Sequence, residues 1–312
     1  MMSQCFRSAV DSKMLRTRRR LKILPVLSLL GILLREYGYA SILAVDSEAK
    51  IYSVAASGIN IGDFGMLCNR GFVIKVYNEG EYAEYSFNKL ERDVTEQAQQ
   101  IIEQIEALKK AVPDKLERIK LGMLEDKPLK FSKSTEYEIN PFETGAQNII
   151  DKLTALRKKG LEADERMLDC TARMSCQKYS KLFLSENKDM EQNVLWTDCA
   201  MSFLARRGNE VKSYFSSASN LGGSEILESL EADIPHSVEM TVALLDSEPM
   251  VPGEYDCICT PEVTGMIVHE AFGHGVEMDM FAKDRALAKN YVGGYVASPL
   301  VNMHDGAAVG DE

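Results

Sequence analysis

Positive charge is in short supply in this chain of 312 residues: 36 lysines and arginines face 47 aspartates and glutamates, a formal net charge of −11. A nucleic-acid binder needs a basic face to neutralise phosphates, so that class is excluded, and the acidity reads as a solvated surface. Cysteine is sparse as well. Seven residues, an odd number scattered along the sequence, make no disulfide framework, and free thiols in the cytoplasm are the expectation. A bilayer-length apolar run is missing. The stretch from Ile23 to Leu34 holds twelve residues without a charge, against about 20 for a spanning helix, so no membrane partner is expected. Gly58, Gly62 and Gly65 punctuate a loop that lacks the Gly-Lys-Ser/Thr of a phosphate cradle, and Asp63-Phe64-Gly65 has no kinase catalytic loop with it.

Histidine is also rare, which makes its placement informative. Two of the four fall within His269-Glu270-Ala271-Phe272-Gly273-His274. Two neutral imidazoles suit a borderline-soft divalent metal such as zinc, and an adjacent carboxylate that is not a ligand can take a proton from activated water. The histidines lie five residues apart rather than four, about 500° of rotation in an ideal helix, so they diverge by roughly 140°. Both reach one metal only if the helix unwinds or ends between them. Gly273 and Gly275 flank His274 and make that distortion inexpensive, so a bend at Gly273 is expected. Glu277 and Asp279 follow closely.

The run Pro261-Glu262-Val263 through Asp279 resembles the TldD side of the TldD/PmbA metallopeptidases, whose pattern is H-E-A-x-G-H-x-x-E followed by Asp. A weaker similarity extends from about Leu33 to Glu312 and includes Gly71 to Tyr77 and Leu161-Glu162-Ala163-Asp164. The resemblance implies that His269 and His274 are zinc ligands and that Glu270 is the general base. It implies small or unfolded peptides as substrates, bound as an added strand, and a PmbA-type partner subunit or a homodimer. The family's third ligand is a downstream cysteine, and nothing after Cys259 is a cysteine. The expectation is therefore of poor zinc binding and little turnover by these 312 residues alone. A competing reading is a non-catalytic piece that keeps only an assembly and peptide-holding surface. A third would complete the shell with His304 or Asp305. Cys257-x-Cys259 reads instead as a short strand, with two thiols buried as small hydrophobes.

The periodicities predict an α+β fold in which helices lie on an antiparallel or mixed sheet over 23–236. A basic extension, 1–22, precedes it. A partial C-terminal metallopeptidase domain, 237–312, follows as the start of a β-rich body carrying the motif helix. Ile23 to Leu34 reads as a packed first helix feeding a strand from Tyr39 to Val45, in preference to a secretory signal cleaved near Gly38-Tyr39-Ala40. Strands are expected at Ile51–Ala55 and Gly71–Tyr77, the latter turning at Asn78-Glu79-Gly80 into Glu81–Phe87. Stripes predict helices over Glu91–Val112 (Val94, Ala98, Ile101, Ile102, Ile105, Leu108) and around Ile149, Ile150, Leu153 and Leu156, the second ending at a basic last turn and Gly160. Leu168, Cys170, Ala172, Met174 and Cys176 alternate as a half-buried strand. Lys178–Ser185, Leu195–Ala205 and Glu210–Ser217 continue the meander. A short helix follows Ser224, then strands at Val238–Leu245 and Asp256. The tail from Tyr291 to Glu312, rich in Gly, Ala and Val, reads as the start of more chain.

Overall fold

The computed structural model describes residues 24–63, 69–78, 80–111, 122, 123 and 125–305. The basic extension, the turn residue Glu79 and Phe64-Gly65 lie outside them. Helix α1 (24–36) buries Val26, Leu29, Leu30 and Leu33, a stripe at helical spacing. It leads into β1 (Tyr39–Ala55), a single strand of 17 residues that continues past Val45 to absorb the one expected at Ile51. Its first half pairs antiparallel with β3 (Arg70–Asn78), which forms a hairpin with β4 (Glu81–Phe87). The second half pairs with β2 (Gly58–Asp63), a strand where sequence gave only a glycine-punctuated loop. On its other side β1 pairs with β6 (Met167–Ser185, 19 residues), and β6 with β7 (Lys188–Arg207, 20 residues). The outer side of β7 takes two short neighbours, β5 (Leu129–Ser134), which runs parallel to it, and antiparallel β8 (Glu210–Leu221). The result is an eight-stranded sheet of order β4-β3-β1-β6-β7-β5, with β2 and β8 beside it. This is the α+β class.

Helices cover one face. Ala40 and Ile42 of β1, with Ile74, Val76 and Leu184, pack under α1 and α2 (Val94–Ala111). Tyr52 and Val54, two-residue steps further along β1, join Cys170, Ala172, Met174, Met201 and Phe203 under α3 (Ala146–Glu162) and α4 (Leu227–Ala243).

Four details depart from the sequence expectations. Leu168 is 42% exposed because the register shifts between Met167 and Asp169, taking it out of the alternation. Helix α3 runs past Gly160 to Glu162, so that glycine is no C-cap. A β-carbon there would sit 3.0 Å from Cys170 Sγ and 3.1 Å from the Phe203 ring, so glycine lets the helix approach the sheet. Leu108 is exposed on α2, although the rest of its stripe is inward-facing. The helix after Ser224 is long rather than short, and the strand expected at Val238–Leu245 is its continuation. Leu227, Leu230, Ile234, Val238 and Thr241 are buried on one face of α4, and that burial outweighs the cost of the proline inside the helix at position 235.

The first compact unit extends through Glu248. The second, from Pro249, carries the motif helix, but among its described residues there is no strand. Cys257 and Cys259 are accordingly exposed in irregular backbone, not buried in the strand expected at Asp256. The other described cysteines are buried, and burial pushes the thiol of Cys170 up to about 12 and those of Cys176 and Cys199 to about 11. Brief treatment of the native protein with a maleimide should label Cys257 and Cys259 and spare Cys170, Cys176 and Cys199, as read by peptide mass spectrometry. Equal labelling of all five would contradict this packing. No described helix is long and apolar enough to cross a membrane.

Candidate metal centre

The motif begins on α5 (Pro261–Ala271). Pro261 occupies the first turn, where its missing N–H has no partner to lose, and Glu262 adds a carboxylate at the positive end of the helix. The helix stops at Ala271. Phe272 leaves helical geometry (φ −143°, ψ −25°) while its N–H still donates to the Val268 carbonyl at 3.1 Å. A single tight turn, Gly273–Val276, follows, in which the Gly275 N–H donates to the Phe272 carbonyl at 2.8 Å. Glu277 links this turn to α6 (Met278–Ala282).

This break cancels the divergence of the two histidines. Their rings meet edge to face with centroids 4.5 Å apart and planes at 68°. Together with Glu270 they form a group whose candidate ligand atoms all lie within 4.8 Å of one another, and all three residues are exposed. The distortion begins at Phe272, one residue before the expected bend. Neither Gly273 nor Gly275 uses a positive φ. A β-carbon on Gly273 would meet His269 Nδ1 at 3.5 Å, an ordinary contact, so the turn lies directly against that ring.

Glu277 is the neighbour whose role sequence reasoning missed. Its Oε1 lies 2.6 Å from His274 Nδ1, both side chains about half exposed. The hydrogen bond from the ring to this carboxylate, then its charge, hold the His274 pKa above the ordinary histidine range, with a smaller contribution from Glu270. The i,i+3 spacing was the available signal. Asp279, also noted in the sequence, is paired with Lys283 at 2.6 Å and stands outside the group. Among the described residues neither Cys257 and Cys259 nor His304 and Asp305 join His269, Glu270 and His274.

The two imidazoles are nitrogen donors suited to zinc, which takes such ligands in a tetrahedral shell, and the carboxylate beside them is placed to accept a proton. Beside the turn lies a cleft of about 410 Å³, lined by Phe272, Val276, Tyr295, Val296, Val301 and Met303 among others.

Comparison with known proteins gives the same family. Residues 252–310 match the PmbA/TldA metallopeptidase C-terminal domain. A metalloprotease of Methanothermobacter thermautotrophicus is 31% identical over 107 residues, 34% of this chain and 24% of that protein. One from Synechocystis is 33% identical over 131 residues, 41% of this chain and 28% of that protein. In fold, the chain is similar to proposed modulators of DNA gyrase from Thermotoga maritima (TM-score 0.57, 15% identity, 73% of this chain and 50% of that one) and Bacteroides thetaiotaomicron (TM-score 0.59, 15% identity, 86% and 60%). Residues 252–310 thus match the metallopeptidase domain of the PmbA/TldA family, and both curated relatives are named metalloproteases. The chain spans about a quarter of the length of these two curated relatives.

Proposed function

We propose that this chain carries the metal-binding part of a zinc peptidase, with His269 and His274 as ligands and Glu270 as general base. The observation that supports this most strongly is the convergence of these three side chains at the break between α5 and the following turn. When bound, the metal supplies Lewis acidity, which polarises a scissile carbonyl and acidifies water. Glu270, on the last turn of α5 beside His269, takes the proton of the attacking water and returns it to the departing amide nitrogen. The cleft lined by Phe272, Val276 and Tyr295 receives an apolar side chain of the peptide. Small or unfolded peptides fit an exposed site of this kind. The family match supports a PmbA-type subunit or a second copy as partner, and a cytoplasmic setting accords with exposed free thiols.

Metal binding is the first test. Zinc or cobalt bound by the protein should be lost in His269→Ala and in His274→Ala, and cleavage of an unstructured peptide should be sensitive to a chelator. Metal binding that survives both substitutions unchanged would overturn the assignment.

A further inference from the structure

We propose that Glu277 is a positioning residue that fixes the tautomer of His274. It holds the proton on Nδ1 and leaves Nε2 as the nitrogen presented for coordination. The inference rests on the zinc reading above and adds to it the residue that sets the geometry of one ligand. An ionised carboxylate has no proton to donate, so at 2.6 Å from Glu277 Oε1 the His274 Nδ1 must be the donor. A neutral imidazole with its proton on Nδ1 has one free lone pair, on Nε2.

The backbone makes this pairing local and repeatable. Gly273–Val276 is a single tight turn, and Glu277 (φ −58°, ψ 123°) is the residue that leaves it. His274 and Glu277 therefore stand three residues apart across that turn, with no other element needed to bring them together. The His274 side chain is 57% exposed and its ring meets that of His269 edge to face, so Glu277 supplies the hydrogen bond that orients it. The ring contact with His269 restrains its position but not its protonation. A carboxylate behind a metal-bound histidine both orients the ring and raises its basicity, and losing one costs about 10–100-fold in metal affinity.

Two substitutions separate the effects. Glu277→Leu removes the acceptor, whereas Glu277→Gln retains an oxygen at nearly the same place. The measurements are the His274 tautomer from ¹⁵N NMR of metal-free protein at alkaline pH, and zinc affinity by competition with a chromogenic chelator. The native protein and Glu277→Gln should show Nδ1 protonated. Glu277→Leu should shift the proton toward Nε2 and weaken zinc about 10–100-fold, with Glu277→Gln recovering most of that loss. An unchanged tautomer in Glu277→Leu would overturn the proposal. So would loss of zinc as complete as in His274→Ala together with a changed cobalt spectrum, which would make Glu277 a ligand. If zinc binding proves indifferent to His269 and His274, the metal reading fails, while the metal-free tautomer still decides what Glu277 does.

Discussion

On the zinc-peptidase reading, Glu270→Gln in a version as long as the curated relatives should lower chelator-sensitive peptide hydrolysis by about 100–10,000-fold while leaving zinc content and affinity unchanged. Gln has the shape of Glu and no basic oxygen, so it removes proton transfer with the least disturbance to the turn. Glu270 is exposed at the end of α5, and its nearest chemical neighbours are the two histidines of the same group. Because its side chain is exposed, the thermal midpoint should stay in place. Zinc analysis by inductively coupled plasma spectrometry, alongside turnover of an unstructured peptide, separates the outcomes. Loss of zinc from the variant would make Glu270 a ligand. Full turnover with full zinc would place the general base elsewhere.

The motif was legible because its chemistry is rare in the sequence: two of four histidines and a carboxylate fall within six residues. Its geometry was half legible. Five-residue spacing required a break, but glycine was the expected cause and Phe272 is where the helix ends. The Glu277 contact was hidden because an i,i+3 carboxylate is common on any helix and becomes specific only once the turn is known.

The same contrast runs through the fold. Stripes such as Ile149, Ile150, Leu153 and Leu156 announced α3 because one helix face carries all its burial. The long strands were read in pieces. Asp46-Ser47-Glu48 interrupts the apolar alternation of β1, yet the strand continues because β6 pairs with it throughout, and Arg70 and Lys178 answer Asp46 and Glu48 with ion pairs. Backbone pairing on two sides decides such a segment, and side-chain periodicity does not report it. The exposed Cys257 and Cys259 show the converse, an alternation that predicts a strand where no described partner strand lies alongside.

Gly223→Ala should destabilise the sheet domain by about 3–5 kcal/mol, combining overpacking with strained or lost hydrogen bonds of about 1 kcal/mol each. Gly223 lies in the joint between β8 and α4, where a β-carbon would fall 1.9 Å from the Ile139 carbonyl oxygen and 2.7 Å from Glu225 Oε2. Its φ of −100° suits any residue, so space and not backbone freedom demands glycine here. Much depends on that space. The Ser224 N–H donates to the Ile139 carbonyl at 3.0 Å, and Glu225 accepts from Gly223 N–H at 2.7 Å and Ile139 N–H at 3.0 Å. Burial opposes ionisation of Glu225, but these backbone donors prevail and hold its carboxyl below the ordinary range. On the other side the buried Thr197 hydroxyl donates to the Gly222 carbonyl at 2.8 Å. A methyl group must push the 139 segment away, breaking the clamp that joins it to α4. The single tryptophan, Trp196, pairs with Leu221 at this joint and provides a fluorescence probe within the same unit. Urea unfolding followed by that signal should show a lower midpoint for Gly223→Ala. Gly31→Ala, in open space on α1, should be neutral or stabilising by up to about 1 kcal/mol. Equal midpoints for the two variants would mean that the joint yields without cost and that the clamp does not hold α4 to the sheet.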